Sequence, residues 1–188
     1  RSGAWMTEFR GTKIEDGEET RPLVSLVMNF TKPTETAPSL LTFDELETFL
    51  HEFGHALHGM LGEGKYESQT GTNVYRDFVE LPSQLMENWT FDPEVLKQYA
   101  VHYRSNEVIP KYLVDKLRRS ELFNQGFMAT ELIAASLSDM DIHSITEYEP
   151  FDPMAFERKA LTEKRGLIPQ IEPRYRYPYF SHIFDGGY

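Results

Sequence analysis

Two histidines four residues apart, with a glutamate beside the first, stand inside a stretch of helical periodicity, and this constrains the chain more than anything else in it. Phe43, Leu46, Phe49, Leu50, Phe53, Leu57, Met60 and Leu61 recur every three or four residues, the spacing of an amphipathic helix. Thr42 with Glu45 fits a capping box and Gly62 is placed to end the helix. Within that helix lies His51-Glu52-Phe53-Gly54-His55, an H-E-x-x-H pattern. At about 100° per residue, His55 falls about 40° and Glu52 about 100° round from His51, while the apolar stripe lies about 160° to 240° away. The expectation is that a core holds the stripe and leaves the histidine face free.

Imidazoles one helical turn apart, about 6 Å along the axis, can converge on one zinc ion at roughly 2.0–2.1 Å. Glu52 is angled away from that point, which suits a general base toward water on the metal rather than a ligand. The chemistry this implies is hydrolysis of a peptide bond. Catalytic zinc keeps three protein ligands, so a third is required. His58 lies seven residues from His51, about 10 Å along the axis, too far for both to bind one ion. Metzincins place a histidine six residues after the second ligand, where this chain has Leu61, and are thereby excluded. The segment from Asp77 to Trp89 offers Glu80 and Glu87 on one helical face together with Gln84, and spacing alone leaves the choice between the two glutamates open.

The remaining sequence sets the context. A chain of 188 residues has the size of about one domain. Thirty acidic residues against nineteen basic give a formal charge of -11, which argues against nucleic acid or an anionic membrane surface as partner. There is no cysteine, so a metal must sit on His, Asp or Glu. The absence of cysteine fits the cytoplasm and also permits the periplasm. No apolar stretch approaches the length of a membrane span. The opening GAWMTEFR and the later RPLVSLVMNF predict two short strands joined by an exposed loop over 13–20. Helices are predicted from Asp77 past Trp89 with Pro82 in the first turns, from Asp92-Pro93 to about Arg104, as one or two helices over 110–142, and from Asp152-Pro153 to about Arg165. The proline- and tyrosine-rich tail from Leu167 is expected to be irregular. The fold class is therefore mainly α, with a small β hairpin near the N-terminus. The start at Arg1 and the end on Gly-Gly-Tyr suggest that residues 1–188 are part of a longer catalytic domain.

The segments TFLHEFGHALHGML (48–61) and SQTGTNVYRDFVELPSQLMENW (68–89) resemble the zinc metallopeptidase family of thimet oligopeptidase, neurolysin, oligopeptidase A and peptidyl-dipeptidase, and the likeness runs from GAWM to HIFDGGY. The resemblance implies a helical zincin-type catalytic domain holding one zinc ion on His51, His55 and Glu80, with Glu52 as general base. It also implies that His182 and Tyr188 contact substrate and help stabilise the oxyanion, and that Gly71 and Thr72 belong to a loop beside the cleft where an extended peptide could pair. His102 and His143 are expected to be structural, and Arg165, Arg174 and Arg176 to serve the surface. The implied partners are short peptides and the remainder of a longer chain. GTNVYRDFVELPSQ points to the peptidyl-dipeptidase branch, which releases C-terminal dipeptides. The alternatives are an endo-acting oligopeptidase of the same family and an inactive zinc-stapled helical fragment.

Overall fold

The computed structural model describes residues 3–185 and divides into two compact units between Asp115 and Lys116. In the first unit, β1 (Trp5–Arg10) pairs antiparallel with β4 (Leu23–Val27), Trp5 opposite Val27 and Glu8 opposite Val24, with a bulge at Phe9. The connecting segment is not the plain loop expected. It folds into a second hairpin, β2 (Lys13–Glu15) with β3 (Glu18–Thr20), closed by Asp16 and Gly17 at φ 53° and 84°. Two successive positive φ values are what a tight hairpin turn of matching twist demands, and Asp-Gly supplies them; an acidic stretch otherwise lacking apolar alternation hid this second ribbon.

α1 (Phe43–Leu61) starts as expected. Thr42 Oγ1 accepts from the Glu45 backbone N–H at 3.2 Å, and Glu45 Oε2 accepts from the Thr42 backbone N–H at 2.8 Å. Glu45 also receives the Thr31 backbone N–H and hydroxyl, and these donors, Thr42 first, hold its carboxyl below the usual carboxylate range.

The helix expected from Asp77 past Trp89 is shorter at both ends. Tight turns occupy 76–80, α2 runs Leu81–Glu87, and a 3-10 turn, Asn88–Phe91, continues it. Proline has no N–H to give the ladder, and a helix starting at Asp77 would leave the Phe78 carbonyl without its bond from position 82; beginning at Leu81 puts Pro82 in the first turn, where no donor is needed. The 3-10 turn packs back on the start of α1 through Phe91, stacked on Phe43 at 4.3 Å. α3 (Pro93–Tyr99) is capped by Asp92 as predicted. It stops five residues before Arg104, because Ala100 leaves helical geometry and Val101 bridges to Val108 across a tight loop, with the His102 N–H on the Glu107 carbonyl at 2.8 Å.

α4 (Lys111–Glu121) and α5 (Gln125–His143) are two helices rather than one, separated by Asn124 in the left-handed region at φ 59°. In the second unit, α6 (Pro153–Arg158) carries the expected Asp152 cap and passes into a π-turn over Lys159–Glu163. The tail is irregular apart from a 3-10 turn at Ser181–Ile183. It is pinned where Tyr177 Oη donates to the Ser138 carbonyl at 2.7 Å and where Arg176 pairs with the buried Glu157 at 2.7 Å. Among the described residues, no helix is long and apolar enough to cross a membrane.

Candidate metal centre

α1 contributes two imidazoles and α2 brings a carboxylate to them. His51 Nε2 lies 3.2 Å and His55 Nε2 3.1 Å from the same oxygen, Glu80 Oε2. The rings stand nearly perpendicular, at 84°, with centroids 4.9 Å apart. One ligand atom from each of the three residues lies within 4.8 Å of the others, so the group could hold a metal ion.

The close approach of α2 depends on Gly54, inside the motif itself. A Cβ there would fall 2.6 Å from both the Pro82 carbonyl oxygen and Ser83 Cα, far inside van der Waals contact. The contact sets the distance between the helices just where Glu80 enters α2. Ser83 is fully buried, and its hydroxyl reaches Glu80 Oε2 at 2.6 Å and the Glu80 carbonyl at 3.0 Å.

The expected burial of α1 is reversed. Glu52 and His55 are each only 8% exposed, whereas Phe49 and Met60 of the apolar stripe are 36% and 41% exposed. The reason lies in the small residues interleaved with the histidines: α2 closes on Gly54, and Val24 of β4 sits against Gly59, so the motif face is the packed face.

The donor chemistry suits a cation. Glu87 Oε1 lies 2.6 Å from His51 Nδ1. A carboxylate only accepts, so the proton of a neutral His51 sits on Nδ1 and Nε2 keeps its lone pair. That lone pair faces Glu80 Oε2 across 3.2 Å, and two lone pairs at that distance are reconciled by a proton or a metal ion between them. The separations of 3.1 and 3.2 Å are close to the ligand-to-ligand spacing of about 3.3 Å around a tetrahedral ion with bonds of roughly 2.0–2.1 Å. The residues present therefore fit a small divalent ion with nitrogen and oxygen ligands.

Glu80, rather than Glu87, faces both imidazoles, and Glu87 stands behind His51. Neither Glu87's contact with Nδ1 nor Ser83's with Glu80 was apparent from the sequence, although the spacing 80, 83, 87 marks one helical face and could have disclosed both. His58 stays outside the group, as its spacing demands. Its ring lies against Phe78 at 6.1 Å, and burial, then the neighbouring His55, pushes its pKa down.

Gly71 and Thr72 form a turn rather than an extended edge, with Gly71 buried at φ 58°. They adjoin the Glu8 carboxyl, and Thr72 lines a polar cavity of about 330 Å³ with Glu8 and Glu67. Burial pushes the Glu8 carboxyl up, the Thr72 backbone N–H works against that, and Glu67 adds to the rise. His182 belongs to the second unit, in the Ser181–Ile183 turn, with its ring edge-on to Phe180 at 5.4 Å. Tyr188 lies outside the described residues.

Besides Arg176, which pairs with Glu157, and His102, whose Nδ1 meets Ser105, two more of the expected structural and surface residues have defined partners. His143 Nδ1 meets Asp139 at 2.9 Å. Arg165 grips Asp141 through two nitrogens at 2.5 and 2.8 Å.

Comparison with known proteins bears on the same residues. Among curated relatives, the chain is 43% identical over 189 residues to the dipeptidyl carboxypeptidase of Salmonella typhimurium and likewise 43% to that of Escherichia coli, covering 99% of this chain and 27% of each relative. Over 193 residues it is 38% identical to oligopeptidase A of Escherichia coli, covering 100% of this chain and 28% of that protein. The chain thus spans about a quarter of the length of these relatives. The match to Peptidase family M3 runs through residues 1–188, taking in both motif helices and everything on either side of them, and the chain belongs to that family.

Proposed function

We propose that this chain carries the zinc site of a peptidase that hydrolyses short peptides and releases dipeptides from their C-termini. The observation that carries the reading is the convergence of His51 Nε2 and His55 Nε2 on Glu80 Oε2 at 3.2 and 3.1 Å, next to the buried carboxyl of Glu52. Two imidazole nitrogens and one carboxylate oxygen suit zinc and leave a fourth position for water. A zinc ion held there supplies Lewis acidity toward water and toward the carbonyl under attack.

The chain's own residues supply the rest. Glu52 follows His51 directly in α1 and is not among the ligands. As general base its carboxylate accepts the proton that the attacking water sheds, and as the resulting acid it hands that proton to the amine nitrogen of the leaving fragment. Its burial keeps the proton from bulk solvent between the two transfers. Glu80 holds both histidines to one focus, and Gly54 holds α2 close enough for it to do so. A substrate-contacting role for His182 rests on the sequence resemblance alone.

The choice of dipeptide release over internal cleavage is supported by the relatives, since those named dipeptidyl carboxypeptidase are 43% identical and oligopeptidase A is 38% identical. Product analysis with the full-length protein tests it. Dipeptides should appear from peptides with free C-termini, and C-terminally amidated peptides should survive; cleavage inside an amidated peptide would overturn the assignment in favour of an endopeptidase.

A further inference from the structure

The two histidines at the metal centre are not held alike. His55 Nδ1 is buried and has no hydrogen-bond partner among the described residues, so packing in the α1–α2 contact fixes that ring. His51 is more open, with a quarter of its side chain exposed, and its Nδ1 meets Glu87 Oε1 at 2.6 Å. Glu87 ends α2, seven residues after Glu80 and therefore on the same helical face two turns on. The helix that contributes the carboxylate ligand thus also reaches behind the first histidine.

We propose that Glu87 is the positioning residue for His51: its carboxylate accepts a hydrogen bond from Nδ1–H, fixing the tautomer with the Nε2 lone pair toward the ion and locking the ring's rotation. The proposal rests on the zinc reading of His51, His55 and Glu80. Physically it follows from the short contact and from the exposure of His51. A ring less enclosed than that of His55 gains more of its orientation from a hydrogen bond, and a carboxylate on the far nitrogen also raises the basicity of the ligating one. Glu87 is one-third exposed, which lets its charge remain hydrated on one side while the other side serves the histidine.

The test compares Glu87→Gln, which keeps an accepting oxygen at nearly the same reach, with Glu87→Leu and Glu87→Ala, which keep none, in the full-length protein. Zinc affinity is measured by competition with a chromophoric chelator well below the unfolding temperature, and the visible spectrum of the cobalt(II) form reports the coordination geometry. Glu87→Leu and Glu87→Ala should bind zinc about 10- to 100-fold more weakly and show an altered cobalt spectrum, while Glu87→Gln, which keeps the hydrogen bond and loses the charge, should fall between them and the native protein in affinity and keep the native spectrum. A merely structural role would lower the unfolding temperature of all the variants and leave affinity and spectrum unmoved, overturning the proposal, as would a Gln variant as weak as Leu. Glu80→Gln separates this failure from failure of the site itself. Zinc lost in Glu80→Gln but unaffected in Glu87→Leu sinks only the role of Glu87, whereas a native protein that binds no zinc sinks the reading beneath it.

Discussion

Gly54 of α1 and Ser83 of α2 approach so closely that a side chain on the glycine would overlap the serine's backbone, its Cβ falling 2.6 Å from Ser83 Cα. A glycine in a helix interior is a liability of about 1 kcal/mol relative to alanine, so its position between the two histidines needs a tertiary reason, and the contact with α2 is that reason. Gly54→Ala should gain the propensity term and lose more to overpacking, which costs roughly 1–3 kcal/mol. The helices can relieve the overlap only by separating, which carries Glu80 off the focus of the histidines, so zinc affinity should fall with stability. Gly59→Ala is the control, because its nearest neighbour is a Val24 methyl at 3.1 Å rather than backbone of α2. Calorimetric unfolding and zinc titration of the two variants check this, and an unaltered zinc affinity in Gly54→Ala would show that α2 does not depend on the glycine for its placement.

Ligand and base roles should come apart under single-atom changes. Glu52→Gln keeps the size of the side chain and removes a carboxylate that is not among the convergent atoms. It should retain one zinc per chain while kcat falls by a factor of about 10²–10⁴, the range of a lost general base. Glu80→Gln should lose zinc and, with it, activity. Metal content by atomic absorption beside steady-state rates distinguishes the pair. Should Glu52→Gln be the variant that loses metal, the roles drawn here are exchanged.

The sequence disclosed the site more fully than the fold around it, for reasons visible in particular residues. The convergence of His51 and His55 was readable because a fixed helical period turns spacing into geometry, and the Thr42–Glu45 capping box marks where that helix begins. Periodicity alone narrowed the candidate third ligand only to Glu80 or Glu87, since both lie on one face of α2 and a one-dimensional period cannot say which end of a seven-residue helix meets its neighbour; the family resemblance chose Glu80, the glutamate that the structure brings to both imidazoles. Which side of α1 is packed was misjudged from its apolar stripe. The deciding residues, Gly54 and Gly59, carry no hydrophobic signal, yet by having no side chain they admit α2 and β4. The hairpin over 13–20 was missed because its turn chemistry, Asp16-Gly17, sits among charges that read as an exposed loop.

In the second unit, Asp141 should tie stability to pH. Hydrogen bonds from Arg165, assisted by Lys164, hold its pKa at about 2 against an ordinary value of 3.8. The folded protein therefore binds fewer protons than the unfolded chain between these values. The stabilisation is complete above about pH 4 and is lost as the pH falls through about 2. Asp141→Asn should be less stable than the native protein at neutral pH, with the gap closing as both are taken to pH 2. Denaturant unfolding at a series of pH values measures the gap, and a difference that persists undiminished at pH 2 would show that the Asp141 charge is not its source.

Ser83 offers the most local perturbation of the candidate metal centre. Its hydroxyl has one proton and two oxygens of Glu80 within reach, the carboxylate at 2.6 Å and the backbone carbonyl at 3.0 Å, and the charged acceptor at the shorter distance is the stronger claim on it. The same carboxylate oxygen faces both histidines, so the serine aims the oxygen on which the two rings converge. Ser83→Ala removes one buried oxygen, adds no bulk against Gly54, and should cost about 1 kcal/mol of stability. Its larger effect should be on zinc, with affinity reduced about 10-fold or more as the Glu80 carboxylate gains freedom to rotate. Ser83→Thr is not a useful rescue, because its extra methyl must fit at a position with no exposed surface. Chelator competition on Ser83→Ala beside the native protein decides the matter: an affinity within twofold of native would mean that the two imidazoles alone fix where the Glu80 oxygen points.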